Sequence, residues 1–167
     1  METSIIRQSE ERFRSDPDAA LGAPSVSVTL ANGRARLSSG AFNWEADLPP
    51  VVGGGNLAPS PTAYLLGALA GCAVVFMHDT LAPQLGIRID DVSAVARCTT
   101  DARGLLGMDG VAADLAAIEL DIQVSSPEPE ERIQELYRVW LERCPIYLAI
   151  AKPNAITTRL STAARVA

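Results

Sequence analysis

The sequence predicts an α+β domain in which strands and helices come in groups rather than in alternation. Three observations carry that expectation. Apolar residues recur with a period near two in two separate clusters, no charged side chain lies between Asp47 and His78, and one amphipathic helix runs up to a Cys-Pro pair. With 167 residues, 48% of them apolar and 20% charged, the chain has the size and composition of one folded domain.

Residues 1–22 read as a helical N-terminal extension with a joint at Asp16-Pro17, ahead of a domain spanning 23–167. Ser25–Leu30, Arg34–Ser38 and Phe42–Asp47 then read as a three-stranded meander turning at Asn32-Gly33 and Ser39-Gly40. The uncharged region follows. Ser60 is a candidate cap and Pro61 suits the first helical position, so a helix is expected from there to about Ala82, with Pro83 ending it. Its continuous apolar run, Tyr64 to Met77, is about 14 residues, against the roughly 20 needed to span a bilayer. A helix buried on nearly every side of a water-soluble fold is the better reading. Gly67, Ala68, Ala70, Gly71 and Ala73 keep it thin, as close approach by another helix would require.

Asp91–Thr100 and Ala117–Ser125 read as a second strand pair around a Gly-rich connection, Arg103–Gly110. Ser126 is the expected cap of a helix from about Pro127 to Arg143, whose stripe is Ile133, Leu136, Tyr137, Trp140 and Leu141. Cys144-Pro145 ends that helix, because the residue before proline avoids the α region. A short apolar helix over Ile146–Ala151 and a last strand at Ala155–Leu160 complete the order.

Several function classes fall away on composition. A net charge of -6 with no basic run argues against a nucleic-acid partner. The first twenty residues carry Glu2, Glu10, Glu11, Asp16 and Asp18, unlike a secretory signal. Three widely spaced cysteines do not make a disulfide scaffold, so a reducing cytoplasm is expected. Gly53-Gly54-Gly55 lacks the Lys-Ser/Thr ending and the strand–turn–helix frame of a phosphate loop. One histidine and no chelating cysteine spacing give no metal site, and no other cofactor is indicated. His78 lies about 120° around the helix from Cys72, too far to serve as its base within one subunit.

The thiols remain. Cys98, within a strand, reads as a small buried hydrophobe. Cys144 stands at a helix boundary beside Arg143, a setting that favours thiolate. Cys72 sits deep in its apolar helix, where burial raises a thiol's pKa unless a cation reaches it. Physical reasoning alone leaves Cys72 open between an inert and a reactive thiol.

The run Gly53-Gly54-Gly55-Asn56-Leu57-Ala58-Pro59-Ser60-Pro61, followed by Leu65-Leu66-Gly67-Ala68-Leu69-Ala70-Gly71-Cys72, resembles the OsmC/Ohr family. Ala46-Asp47-Leu48-Pro49, Leu85-Gly86-Ile87, Asp90-Asp91-Val92 and Cys144-Pro145-Ile146 fit the same pattern, over roughly residues 25–160. The resemblance implies an intertwined homodimer with long central helices wrapped by antiparallel sheets. It assigns Cys72 as the thiol that attacks an organic hydroperoxide and Cys144 as the thiol that resolves the resulting sulfenic acid. A dithiol reductant, such as a lipoyl protein, would restore the pair. An arginine on the N-terminal hairpin, Arg34 or less well Arg36, would hold the thiolate. The family normally carries a glutamate shortly after the proline that opens the buried helix. Thr62 and Ala63 stand there instead, leaving Glu45 or Asp47 of the hairpin as the candidates to replace it. Two rival readings of the same fold are a non-enzymatic dimer that binds an apolar ligand and a thiol redox sensor.

Overall fold

A computed structural model describes residues 2–162. The N-terminal helix α1 (Glu2–Ser15) ends where Asp16-Pro17 opens a single 3-10 turn, Pro17–Ala20. Glu10 of α1 reaches Gln84 at 2.5 Å, which fastens the extension to the far end of the central helix.

The meander forms as its turn residues dictate. Strands β1 (Ser27–Ala31), β2 (Arg34–Ser39) and β3 (Phe42–Ala46) pair antiparallel in that order. Asn32 and Gly33, both at positive φ, make the first turn, which a right-twisted hairpin requires. Gly40 leads the second turn, one residue later than expected. The register aligns Val28, Leu37 and Trp44 on one face, and Thr29, Arg36 and Glu45 on the other.

Between β3 and the central helix, Asp47 organises the loop. It is 8% exposed, and its carboxylate accepts N–H bonds from Leu48 (2.8 Å), Gly55 (3.1 Å) and Leu57 (3.0 Å). These bonds, led by that from Leu57, hold its pKa below the ordinary value. Gly54 packs so closely that an added Cβ would stand 1.9 Å from the Leu48 carbonyl oxygen. The Gly54, Gly55 and Asn56 amides are spent on Pro49, Asp47 and Leu48 of the chain itself, so the glycine run is no phosphate cradle.

Helix α2 (Pro61–Phe76) starts as expected, with Ser60 Oγ accepting from Ala63 N–H at 3.1 Å. Pro83 does not stop it. A π-turn, Met77–Leu81, widens the ladder so that Ala82 N–H reaches Met77 five residues back, and α3 (Ala82–Leu85) continues through the proline. Gly86, left-handed at φ 65°, closes the helix instead. By length and composition the unbroken stretch Pro61–Leu85 could cross a membrane, so the shorter run counted from sequence understated it. Only one face of it packs into the core. Leu69, Ala73, Met77, Leu81 and Ala82 are buried, and most of them cluster with Leu136 and Trp140.

That cover is one-sided. Leu65 and Val75 are exposed, and Cβ atoms added at Gly67 or Gly71 would meet nothing. Within one chain the central helix is therefore not buried on nearly every side.

Strands β4 (Asp91–Thr99) and β5 (Ala116–Ser125) form a second antiparallel sheet whose Ala94, Leu120 and Ile122 pack on the core. The connection contains a short helix α4 (Ala102–Leu105), capped by the Asp101 side chain. The long helix α5 (Glu130–Arg143) starts later than expected. Pro129 holds Glu128 out of the α region, so Ser126 braces the preceding turn by bonding Arg88 O and Glu128 N–H, and does not cap the helix. Helix α6 (Pro145–Ala151) follows directly. Ala155–Leu160 is not a strand, and no strand among the described residues pairs with it. Ile156 and Leu160 are 85% and 95% exposed.

Candidate dithiol site

The site begins with the turn that Pro145 imposes. Cys144 is held extended (ψ 112°), so its N–H closes α5 on Trp140 O at 2.8 Å while its C=O opens α6 by accepting from Leu148 N–H at 3.0 Å. Its thiol, fully buried, also caps α6 by accepting from Tyr147 N–H at 3.4 Å. Leu136, Trp140 and Ala73 belong to the same buried cluster.

Cys72, three turns into α2, meets it there. The two sulfurs lie 3.0 Å apart and share a thiol hydrogen bond, although 72 residues separate them in the chain. Both are free thiols. A disulfide needs about 2.0 Å, so the pair can close with about 1 Å of movement. Cys72 is half-buried. Burial, then the bonded Cys144, push its pKa up from 9.0 to about 11, while Ile146 N–H pulls the other way. Among the described residues no cation acts on it. The thiol is thus placed for disulfide chemistry but is held protonated within its own chain.

Arg34 is not brought to this pair. It opens β2 and lies with its Nε 3.0 Å from Glu45 Oε2, off the N–H axis, so the contact is an ion pair by distance rather than an aligned hydrogen bond. Arg36 approaches the same carboxylate less closely, at 4.0 Å. Glu45 is the hairpin carboxylate in contact with Arg34, whose charge also reaches Asp47 and helps to lower its pKa. The Tyr64 hydroxyl donates to the Glu45 carbonyl at 2.5 Å, which ties β3 to the first turn of α2 beside Thr62 and Ala63.

Cys98 stands apart on β4, at a bulge where Arg97 pairs with Glu119 and Thr99 with Ala116. Ala117, at φ 46°, supplies the extra residue. His78 is exposed and bonded to Asp79.

Sequence reasoning took Trp140 and Tyr137 only as a helix stripe and passed over Tyr147. In the fold Trp140 stacks on Tyr137 at 6.2 Å and meets the Tyr147 ring at a tilt at 5.2 Å. The three line a cavity of about 450 Å³ floored by Leu120 and Ile122. The Cys-Pro boundary, which starts α6 beside the buried cluster, is the signal that could have drawn attention to Tyr147.

Residues 53–159, which contain both cysteines and the glycine loop, match the family of OsmC-like proteins. The chain belongs to the OsmC-like family. No curated protein sequence matches it significantly. Among solved structures, an OsmC-like protein from Mycoplasma pneumoniae superposes with a TM-score of 0.65 at 22% identity, covering 78% of this chain and 88% of that one. An organic hydroperoxide resistance protein from Legionella pneumophila gives 0.60 at 18% identity, covering 78% and 90%. Another from Elizabethkingia anophelis gives 0.59 at 16% identity, covering 78% and 89%. At these identities the likeness establishes the OsmC-like α+β fold of the chain.

Proposed function

We propose that this OsmC-like protein is a cysteine-dependent reductase of organic hydroperoxides that works as a homodimer. The observation that carries the reading is the Cys72–Cys144 pair, two free thiols 3.0 Å apart on separate helices. The Cys72 thiolate displaces alkoxide from the O–O bond and becomes a sulfenic acid. Cys144 condenses with it to a disulfide and releases water. A dithiol, such as a lipoyl group on a partner protein, restores both thiols by exchange. Two structural relatives described as organic hydroperoxide resistance proteins support the substrate class. Three free thiols fit a reducing cytoplasm.

The raised pKa of Cys72 makes an external cation necessary. Arg34 is our candidate, held by Glu45 and delivered from the hairpin of a second copy. Uncovered apolar surface supports such a copy: Val28 and Leu30 on β1, Leu65 and Val75 on α2, and Ile156 and Leu160 near the C-terminus are all exposed in one chain.

Thiol counting with one equivalent of cumene hydroperoxide tests the reading. Two of the three thiols should be consumed and peptide mapping should join Cys72 to Cys144, with Cys98 left free. In Cys144→Ser, Cys72 should stop as a sulfenic acid that dimedone traps. A bond to Cys98, or no thiol loss, removes the proposal.

A further inference from the structure

On the peroxidase reading above, a disulfide joins Cys72 to Cys144, and the reductant must attack one of its two sulfurs. We infer that it attacks Cys72, so that the mixed disulfide forms there and Cys144 is the leaving thiolate.

The two sulfurs differ in what surrounds them. Cys144 has no exposed surface even in a single chain, because it sits inside the buried cluster that also holds Trp140, Leu136 and Ala73. That cover is intramolecular, so a second subunit can only add to it. Cys72 lies on the rim of the same cluster and keeps accessible surface. Exchange requires the attacking sulfur, the attacked sulfur and the leaving sulfur to lie nearly in line. With Cys144 on the core side, the line of approach runs inward through Cys72. Attack on Cys144 would have to pass through the packed core.

The chemistry after attack agrees with this order. The reductant thiolate bonds to the Cys72 sulfur as the Cys72–Cys144 bond breaks, and the electron pair leaves on Cys144. That sulfur already accepts the Tyr147 N–H at 3.4 Å, so a hydrogen-bond donor stands where the electron pair arrives. With a dithiol reductant, the second thiolate then attacks the reductant's own sulfur in the mixed disulfide and expels Cys72 as thiolate. The dithiol ends as its disulfide, and two electrons have passed to the protein. Cys72 is thereby the entry point for both peroxide and reductant, and Cys144 never meets either.

The full-length protein, oxidised with diamide so that no peroxide step is involved, tests the assignment. It is mixed with excess 2-mercaptoethanol, quenched in acid over the course of reduction, and peptide-mapped for the mercaptoethanol adduct. At least about tenfold more adduct is expected on Cys72 than on Cys144, since access selects which sulfur is attacked. Equal adducts, or a majority on Cys144, overturn the inference. A second measurement covers an intermediate too brief to trap. S-methylthio groups are placed under denaturant on Cys72 in Cys144→Ser and on Cys144 in Cys72→Ser, and the proteins are refolded. The same thiol should remove the first group at least about tenfold faster. Equal or reversed rates refute the assignment. Because diamide makes the disulfide, loss of hydroperoxide activity would sink the peroxidase reading and leave this result standing, whereas an adduct on Cys144 would sink this inference alone.

Discussion

Cys72 and Cys144 touch each other yet experience opposite surroundings. Burial and its neighbour press Cys72 toward its protonated form, with a pKa near 11, while Cys144 caps a helix. The reactive species is the thiolate, so a raised pKa depletes it at neutral pH and restores it as pH climbs toward 11. In Arg34→Ala the oxidation rate of Cys72 should therefore rise about tenfold per pH unit from neutrality upward and level off only near pH 11. The parent should level off at lower pH. Stopped-flow oxidation across pH checks both, and identical profiles would dismiss Arg34. Glu45→Gln should slow oxidation about two- to fivefold at pH 7, the worth of one partly exposed ion pair. Ala63→Glu, on the first turn of α2, should recover most of that loss in the double variant and add little to the parent. The missing helix glutamate was plain in the sequence. That Glu45 meets Arg34 was not, because it depends on the β2–β3 register.

At the scale of elements, the loop from Asp47 to Pro59 is what aims α2. Asp47 anchors it with three N–H bonds, and its depressed pKa means the carboxylate form is preferred in the folded chain. That contribution is present above the ordinary value of 3.8 and fades as pH falls through the lower folded value. Asp47→Ala should lower the denaturant midpoint clearly at pH 7 and progressively less as the pH is taken below 3.8, as unfolding curves across that range would show. Gly54→Ala should also destabilise, since the methyl group would overlap the Leu48 carbonyl. Ser60 with Pro61, and Cys144 with Pro145, were readable because caps and prolines act through local sterics. The passage of the helix through Pro83 was not, since a π-turn upstream removes the clash that the residue ordinarily causes.

At the scale of the whole molecule, the exposed apolar residues on β1, α2 and the C-terminal segment are the surface that the proposed second copy would cover. Light scattering at micromolar concentration should give about twice 17.6 kDa. A monomer would leave Cys72 without its cation and remove the proposed architecture. The expected strand at Ala155–Leu160 belongs to the same question, because a strand needs a neighbour and none pairs with it among the described residues. What the sequence determined by itself is whatever short-range rules decide: the grouped strands and helices, the turns at Asn32-Gly33 and Gly40, the helix start at Ser60-Pro61 and the break at Cys144-Pro145. It also marked the two cysteines through the motifs around them. Only the tertiary structure decided that these thiols meet at 3.0 Å, that one is sealed and the other open, and that Glu45 rather than Asp47 is the carboxylate that pairs with Arg34. Those facts depend on contacts between segments tens of residues apart, where packing and register set the distances.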